Sequence, residues 1–304
     1  MASQTKHLVE ITPEQIQEFK NLAKEQEKTF LSEDAIVDTV EHVDVSHLYQ
    51  RIEVKGVSIN YVKVGTGEKP VLLMCGSVGS LASDFGPILQ KFNLDKFTVV
   101  AWDYPGAGKS IPPERDFSSK ESFLHGDIEF AKILMQKLGY PKFSILGWCG
   151  GGTEALMMAG KYPEVIESLI SINSKAFFGH EDMAFYNLMS DISNWSELAR
   201  SSMVKVYGEE YFFKCWMSLI TLYKRIYDEE EGNLCTEFLS KIKCPTLLVH
   251  GQLDPVAPVR HVHFIKERIP HAKVHIMEKG KHNLHLRYPE EFLAIVEQFL
   301  LELS

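Results

Sequence analysis

The stretch Phe143-Ser-Ile-Leu-Gly-Trp-Cys149-Gly-Gly-Gly-Thr153 decides the reading of this chain. An apolar run, Phe143 to Leu146, suits a buried strand. It passes through Gly147-Trp148-Cys149-Gly150-Gly151 into a segment with helical patterning. A Gly-x-nucleophile-x-Gly turn between a strand and a helix is the nucleophile elbow, in which flanking glycines avoid backbone collisions and the central side chain is lifted to the top of a sheet. Here that residue is Cys149. A helix N-terminus and a nearby imidazolium both favour the thiolate, an intrinsically strong nucleophile. Taken alone, the motif also fits a buried cysteine in a glycine turn.

The flanking sequence repeats the strand theme. PVLLMCG (70–76), FTVVAWD (97–103), LISIN (169–173) and CPTLLVHG (244–251) are short apolar runs suited to parallel strands covered on both faces. AKVHIME (272–278) alternates, as an edge strand does, and RIEVKG with SINYVKVG reads as a hairpin turning near Gly56. Helical patterns fall between them. Glu121–Leu138 sets Phe130, Ile133, Leu134 and Leu138 on one face, and Thr153–Tyr162 and Pro289–Leu303 follow the same period. The alternation predicts an α/β fold with a mostly parallel, eight-stranded sheet and helices on both faces.

Residues 176–240 break the alternation. They read as successive helices (181–192, 195–206, 208–227, 234–241), rich in aromatics, and are assigned as a helical cap between core segments 49–175 and 241–304. Phe178, Tyr186 and Trp216 of this cap, with Trp148 of the elbow, are the candidate substrate contacts. Residues 1–48 are polar and acidic, with Thr12-Pro13-Glu14-Gln15 as a capping box for a helix reaching about Lys28. They are expected to form an appended helical extension, with a dimer or lid contact as the alternative.

A nucleophile needs a base, and the base an orienting carboxylate. In this fold the chain order is nucleophile, acid, histidine. Asp254 lies in HGQLDPVAP and His282 in EKGKHNLH, each in a loop just past a strand, the end where open sheets bind ligands. Cys149, Asp254 and His282 are therefore the candidate triad. His285 is the rival base, His250 suits a core histidine, and His261 and His263 face differently on a helix. The backbone N–H groups of Gly150 and of Ser77, in Cys75-Gly76-Ser77-Val78-Gly79, are the candidate oxyanion donors. Asp103, in Asp103-Tyr-Pro-Gly-Ala-Gly-Lys-Ser110, reads as a turn brace. A phosphate loop would need glycine five residues before Gly108, where Asp103 stands, so no nucleotide is implied.

The whole-chain figures narrow the class. With 45% hydrophobic and 24% charged residues, the chain is an ordinary globular one. A net charge of −9 lacks the electrostatic footprint of a nucleic-acid binder. No apolar run approaches the ~18 residues of a membrane span. The five cysteines are scattered, with no C-x-x-C, which fits a reducing compartment better than a disulfide framework. The start has no signal-peptide pattern. The expectations are a cytoplasmic location, a small-molecule substrate, no cofactor, no metal, no nucleic-acid or membrane partner, and an oligomeric state that allows a homodimer.

Together, DFGPILQKFN, FTVVAWDYPGAGKSIPPERDF, SILGWCGGG, SNWSE, CPTLLVHGQLDP and EKGKHNLHLRYPEEF resemble the valacyclovir hydrolase, or biphenyl hydrolase-like, family of the α/β-hydrolase superfamily. The resemblance covers about residues 50–303 and leaves out residues 1–48. It implies a capped α/β-hydrolase that cleaves esters, with Asp254 and His282 in triad positions. The chain departs from it twice. Cys149 stands where the family implies serine, and Gly150 stands where it implies an acidic residue that holds a substrate's amino group. Losing that charge-assisted bond costs a cationic substrate about 1.5–3 kcal/mol, so the amino-ester preference is not expected to carry over. Elbow cysteines also resemble those of dienelactone hydrolases and of polyhydroxyalkanoate synthases, which leaves acyl transfer and a silent ligand-binding protein as rival readings. Asp182 or Glu181 would be the cap residues to recover an amine contact.

Overall fold

The computed structural model describes residues 43–195 and 197–303. The helix expected over 12–28 lies outside them. The first described residues pack on the body, with Val45 buried.

The hairpin of β1 (Gln50–Val54) and β2 (Val57–Val64) turns at Lys55 and Gly56, both with positive φ. β2 then pairs antiparallel with β4 (Phe97–Trp102). Beyond it β3 (Lys69–Met74), β5 (Phe143–Trp148), β6 (Ile166–Ile172), β7 (Thr246–Gly251) and β8 (Lys273–Met277) run parallel, in the order β1-β2-β4-β3-β5-β6-β7-β8. The central strands β4 and β7 are buried at every residue, because both sheet faces are covered. β8 lies at the sheet edge as expected, although its burial rises along the strand toward Met277 rather than alternating, with Val274 exposed.

The helices of the core are α1 (Gly126–Lys137), α2 (Gly150–Lys161), α6 (Arg260–Arg268) and α7 (Pro289–Leu301); those of the cap are α3 (His180–Met189), α4 (Glu197–Tyr207) and α5 (Glu209–Glu229). The expected inward face of α1 needs correction. A second apolar set at three- and four-residue steps, Ile128, Ala131, Leu134 and Met135, is the one that is buried. Phe130, Ile133 and Leu138 are only partly buried, against the core's margin.

Among the described residues of 176–240 there is no strand, only an isolated bridge between Phe177 and Asn233. α5 dominates the segment. Its buried residues Phe212, Cys215, Trp216, Leu219, Ile220, Leu222, Tyr223 and Ile226 recur at three- and four-residue steps along one face. Two tyrosines tie the cap to core loops. Tyr207 donates to the Gly79 carbonyl at 2.8 Å, and Tyr211 donates to that of Gly106 at 2.8 Å. Among the described residues, no helix is long and apolar enough to cross a membrane.

The α2 helix crosses close behind β3 because its first turn is glycine. A β-carbon at Gly151 would lie 2.2 Å from the Met74 carbonyl oxygen and 2.3 Å from that of Cys75, both backbone atoms. Gly151→Ala should therefore destabilise the fold by about 1–3 kcal/mol. Urea unfolding should show a lower midpoint with an unchanged slope.

Candidate active site

Cys149 ends β5 with φ 56° and ψ −120°, a strained conformation for a residue with a side chain. The turn is held from several sides. The Cys149 N–H donates to Ile172 O of β6 at 2.9 Å, and the Cys149 carbonyl receives Gly152 N and Thr153 N of α2. The thiol stands at the helix N-terminus, where the aligned peptide dipoles favour negative charge. It is partly exposed, whereas Cys75, Cys215 and Cys235 are buried, and all five cysteines are free.

The loops after β7 and β8 bring the other two triad candidates together. His282 Nδ1 lies 2.8 Å from Asp254 Oδ2. The other Asp254 oxygen accepts the N–H groups of Val256 at 2.8 Å and Ala257 at 3.0 Å, which fixes the carboxylate. Burial works against a charged His282, but the Asp254 carboxylate and then Cys149 outweigh it and push the imidazole up to about 10. His282 thus feels the charge of both Asp254 and Cys149.

Two residues aim the His282 backbone. Trp148 Nε1 donates to the His282 carbonyl at 2.7 Å, and its ring lies against the imidazole with centroids 5.1 Å apart. Asn173 Nδ2 donates to the Lys281 carbonyl at 2.9 Å and the His282 carbonyl at 2.8 Å, while its Oδ1 accepts Gly251 N at 2.8 Å. Sequence reading places Trp148 against substrate and does not single out Asn173. The signal for Asn173 is its place just beyond β6, with φ 48°, a region that asparagine tolerates.

The rival histidines have other work. His285 is fully buried, with Nε2 2.9 Å from the Asp84 carbonyl oxygen, and burial lowers it to about 3. It cannot reach the thiol as a base while held there. His250 pairs with the Ala257 carbonyl at 2.7 Å in the core. His261 pairs with Asp182 at 2.9 Å, whereas His263, on the same helix, is exposed.

Ser77 follows β3 in a loop shaped by Asp84. The Asp84 carboxylate accepts Gly76 N at 2.8 Å, and burial pushes this group up to about 7. No described hydrogen bond engages the N–H groups of Ser77 or Gly150. A β-carbon built on Gly150 would lie 3.0 Å from Ser77 N, so the two backbones face one small volume. Asp103 braces the neighbouring loop, accepting from Leu81 N, Lys109 N and Asn60 Nδ2, each at 2.8 Å.

Of the cap residues, Phe178 and Tyr186 are buried and in ring contact at 5.5 Å. Tyr223, which does not stand out in sequence among the many cap aromatics, packs on both, tilted at 4.5 Å from Phe178 and edge-on at 4.9 Å from Tyr186. Burial raises the phenols of Tyr186 and Tyr223, and the charge of Cys149 adds to both shifts. Trp216 sits further back. Its indole N–H donates to the Met189 carbonyl at 2.7 Å and its ring packs on Trp195, within the cap's own core.

Asp182 and Glu181 are already engaged. Asp182 pairs with Lys175 at 3.0 Å, with Arg260 at 3.0 Å and with His261, and is held well below the usual carboxylate range against the cost of burial. Glu181 pairs with Arg260. Neither carboxylate is left for a substrate amine.

A mostly parallel open sheet, a tight glycine-flanked turn from β5 into α2 and an acid–histidine pair in the loops after the last two strands are the features of an α/β hydrolase. The family model described as the alpha/beta hydrolase fold matches residues 69–196. The chain is 41% identical to the mouse protein named serine hydrolase BPHL over 253 residues, 82% of this chain and 85% of that protein. It is 26% identical to a pimeloyl-[acyl-carrier protein] methyl ester esterase of Legionella pneumophila strain Paris, over 67% of this chain and 84% of that one. Among solved structures, the 2-hydroxy-6-oxo-6-phenylhexa-2,4-dienoate hydrolase of Rhodococcus sp. strain RHA1 superposes with a TM-score of 0.72 at 18% identity, covering 83% of this chain and 98% of that one. The chain belongs to the BPHL family of α/β hydrolases.

The proton on His282 can be followed directly. Its imidazole resonances should titrate near pH 10, and the midpoint should fall in Asp254→Asn. The sign for stability follows from a folded value above the unfolded one, about 6.5. This proton stabilises the fold below pH 6.5, and its contribution is lost as pH rises to about 10. Urea unfolding at pH 6.5 and pH 10 should show a smaller loss in Asp254→Asn than in the unchanged protein.

Proposed function

We propose that this protein hydrolyses an ester, lactone or thioester with an apolar acyl or aryl part, through a Cys149–His282–Asp254 triad and an acyl-thioester intermediate. The observation that carries the reading is His282, held at 2.8 Å by Asp254 and kept protonated to about 10 beside the strained elbow that presents Cys149. The relatives named as a serine hydrolase and as a methyl ester esterase support the reaction class.

The thiolate of Cys149 attacks the carbonyl carbon, and the carbonyl π pair moves onto oxygen. The N–H groups of Gly150 and Ser77 stabilise that oxyanion. Collapse reforms the carbonyl and breaks the bond to the leaving group, which takes its proton from His282. His282 then removes a proton from water, the hydroxide adds to the thioester, and thiolate leaves with the acid as product. Asp254 orients the imidazole throughout. Phe178, Tyr186 and Tyr223 supply an apolar wall suited to an acyl or aryl group. With no free carboxylate among Gly150, Glu181 and Asp182, a substrate ammonium gains nothing here. A reducing, cytoplasmic setting would keep the five free cysteines as thiols.

Turnover of a panel of short-chain aryl esters tests the proposal. Cys149→Ala should lose about 10³-fold or more in kcat with the fold intact, as removal of a triad nucleophile does. Unchanged turnover in that variant would end it. Amine and thiol acceptors added to the assay would divert product from acid to amide or thioester if the acyl group is transferred instead.

A further inference from the structure

The volume between Gly150 and Ser77 holds a pair of hydroxyls. Ser77 Oγ and Tyr223 OH lie 2.8 Å apart, and both side chains are buried. Among the described residues neither hydroxyl has another hydrogen-bond partner. Two hydroxyls joined by one bond carry two protons, and the bond uses one. Whichever of them donates, the other O–H is left facing a site with no protein acceptor. A buried donor in that condition is unfavourable until an acceptor arrives.

The position of the pair shows which acceptor it suits. A β-carbon on Gly150 would lie 2.0 Å from Ser77 Oγ and 3.0 Å from Ser77 N. The Ser77 hydroxyl, with the Tyr223 hydroxyl 2.8 Å from it, therefore lies beside the backbone donors assigned to the oxyanion. The Tyr223 phenol is also close enough to Cys149 to be shifted by it. The Tyr223 ring has little freedom, being packed between Phe178 and Tyr186 on a helix of 21 residues. Further along the cap, Tyr207 and Tyr211 fasten the same cap to the loops at Gly79 and Gly106.

We propose that the Ser77–Tyr223 pair is a third oxyanion donor, and that the cap supplies it through Tyr223. This rests on the ester-cleaving reading above. As the Sγ–C bond forms and the π pair moves onto oxygen, Ser77 donates to the Tyr223 oxygen and the Tyr223 O–H donates a hydrogen bond to the oxyanion. Its proton stays on the hydroxyl and the bond is given back on collapse. The donor set is complete only with the cap seated, so water and substrate meet a finished site only beneath a closed cap. Glycine at position 150 follows from the same geometry, since any larger residue would displace the Ser77 hydroxyl.

The test compares two reactions of Cys149 in the full chain. One is the acylation burst with 4-nitrophenyl acetate, which builds an oxyanion. The other is alkylation by iodoacetamide, which does not. Tyr223→Phe keeps the ring and removes the hydroxyl. It should slow acylation about 100-fold, in the range for loss of one such donor, and leave alkylation within about twofold. Ser77→Ala should behave alike, and the double variant should be no slower than the slower single one, as expected for groups that act as a unit. Acylation at the unmodified rate in Tyr223→Phe would overturn the assignment alone, as would an equal fall in alkylation. Absence of acylation in the unmodified protein would instead refute the ester reading, and this assignment with it.

Discussion

The backbone of Cys149 is the constraint from which the site is built. A side chain at φ 56° and ψ −120° costs on the order of 1–3 kcal/mol, and it persists only where its surroundings over-determine it. Here β6 holds the amide, α2 holds the carbonyl, and glycines at 147, 150 and 151 let the turn close against backbone. The elbow thus converts packing energy from a fully covered sheet into the placement of one atom.

The remaining parts are hung on the carboxyl ends of neighbouring strands. Buried polar side chains brace the loops at this end of the sheet: Asp84 under the Ser77 loop, Asp103 under the Gly106–Ser110 loop, and Asn173, beside the partly exposed Trp148, behind His282. Burying those groups is tolerable because each finds hydrogen-bond partners. Tyrosine hydroxyls from the cap finish the arrangement, so core and cap share one hydrogen-bond system. The buried Lys175–Asp182–His261 cluster adds a charged link between cap and core.

Much of this was legible in the residues themselves. Apolar strands punctuated by glycine defined the parallel sheet, and the edge character of β8 showed in its alternation. The triad candidates followed from chain order and from loop position after strands. Other features depend on three-dimensional partners that spacing does not encode. His282 and His285 sit three residues apart, and only burial against the Asp84 carbonyl separates a core histidine from the one at Asp254. α1 carries two overlapping apolar sets at helical spacing, and spacing alone does not tell that Ile128, Ala131, Leu134 and Met135 are the buried one. The indole N–H groups of Trp148 and Trp216, both substrate-contact candidates by sequence, brace the His282 carbonyl and the cap, partners that spacing does not encode. Tyr223 was hidden by its setting, since an aromatic stripe on an amphipathic helix looks the same whether it packs or binds.

The central claim is that the Cys149 sulfur becomes covalently acylated by a carbonyl substrate. Intact-protein mass spectrometry after brief exposure to an ester library and acid quenching addresses it most directly. The account predicts a single acyl adduct that maps to Cys149, is released by neutral hydroxylamine, and is absent from the Cys149→Ala protein. An adduct on any other residue, or no adduct while the esters are consumed, would contradict it.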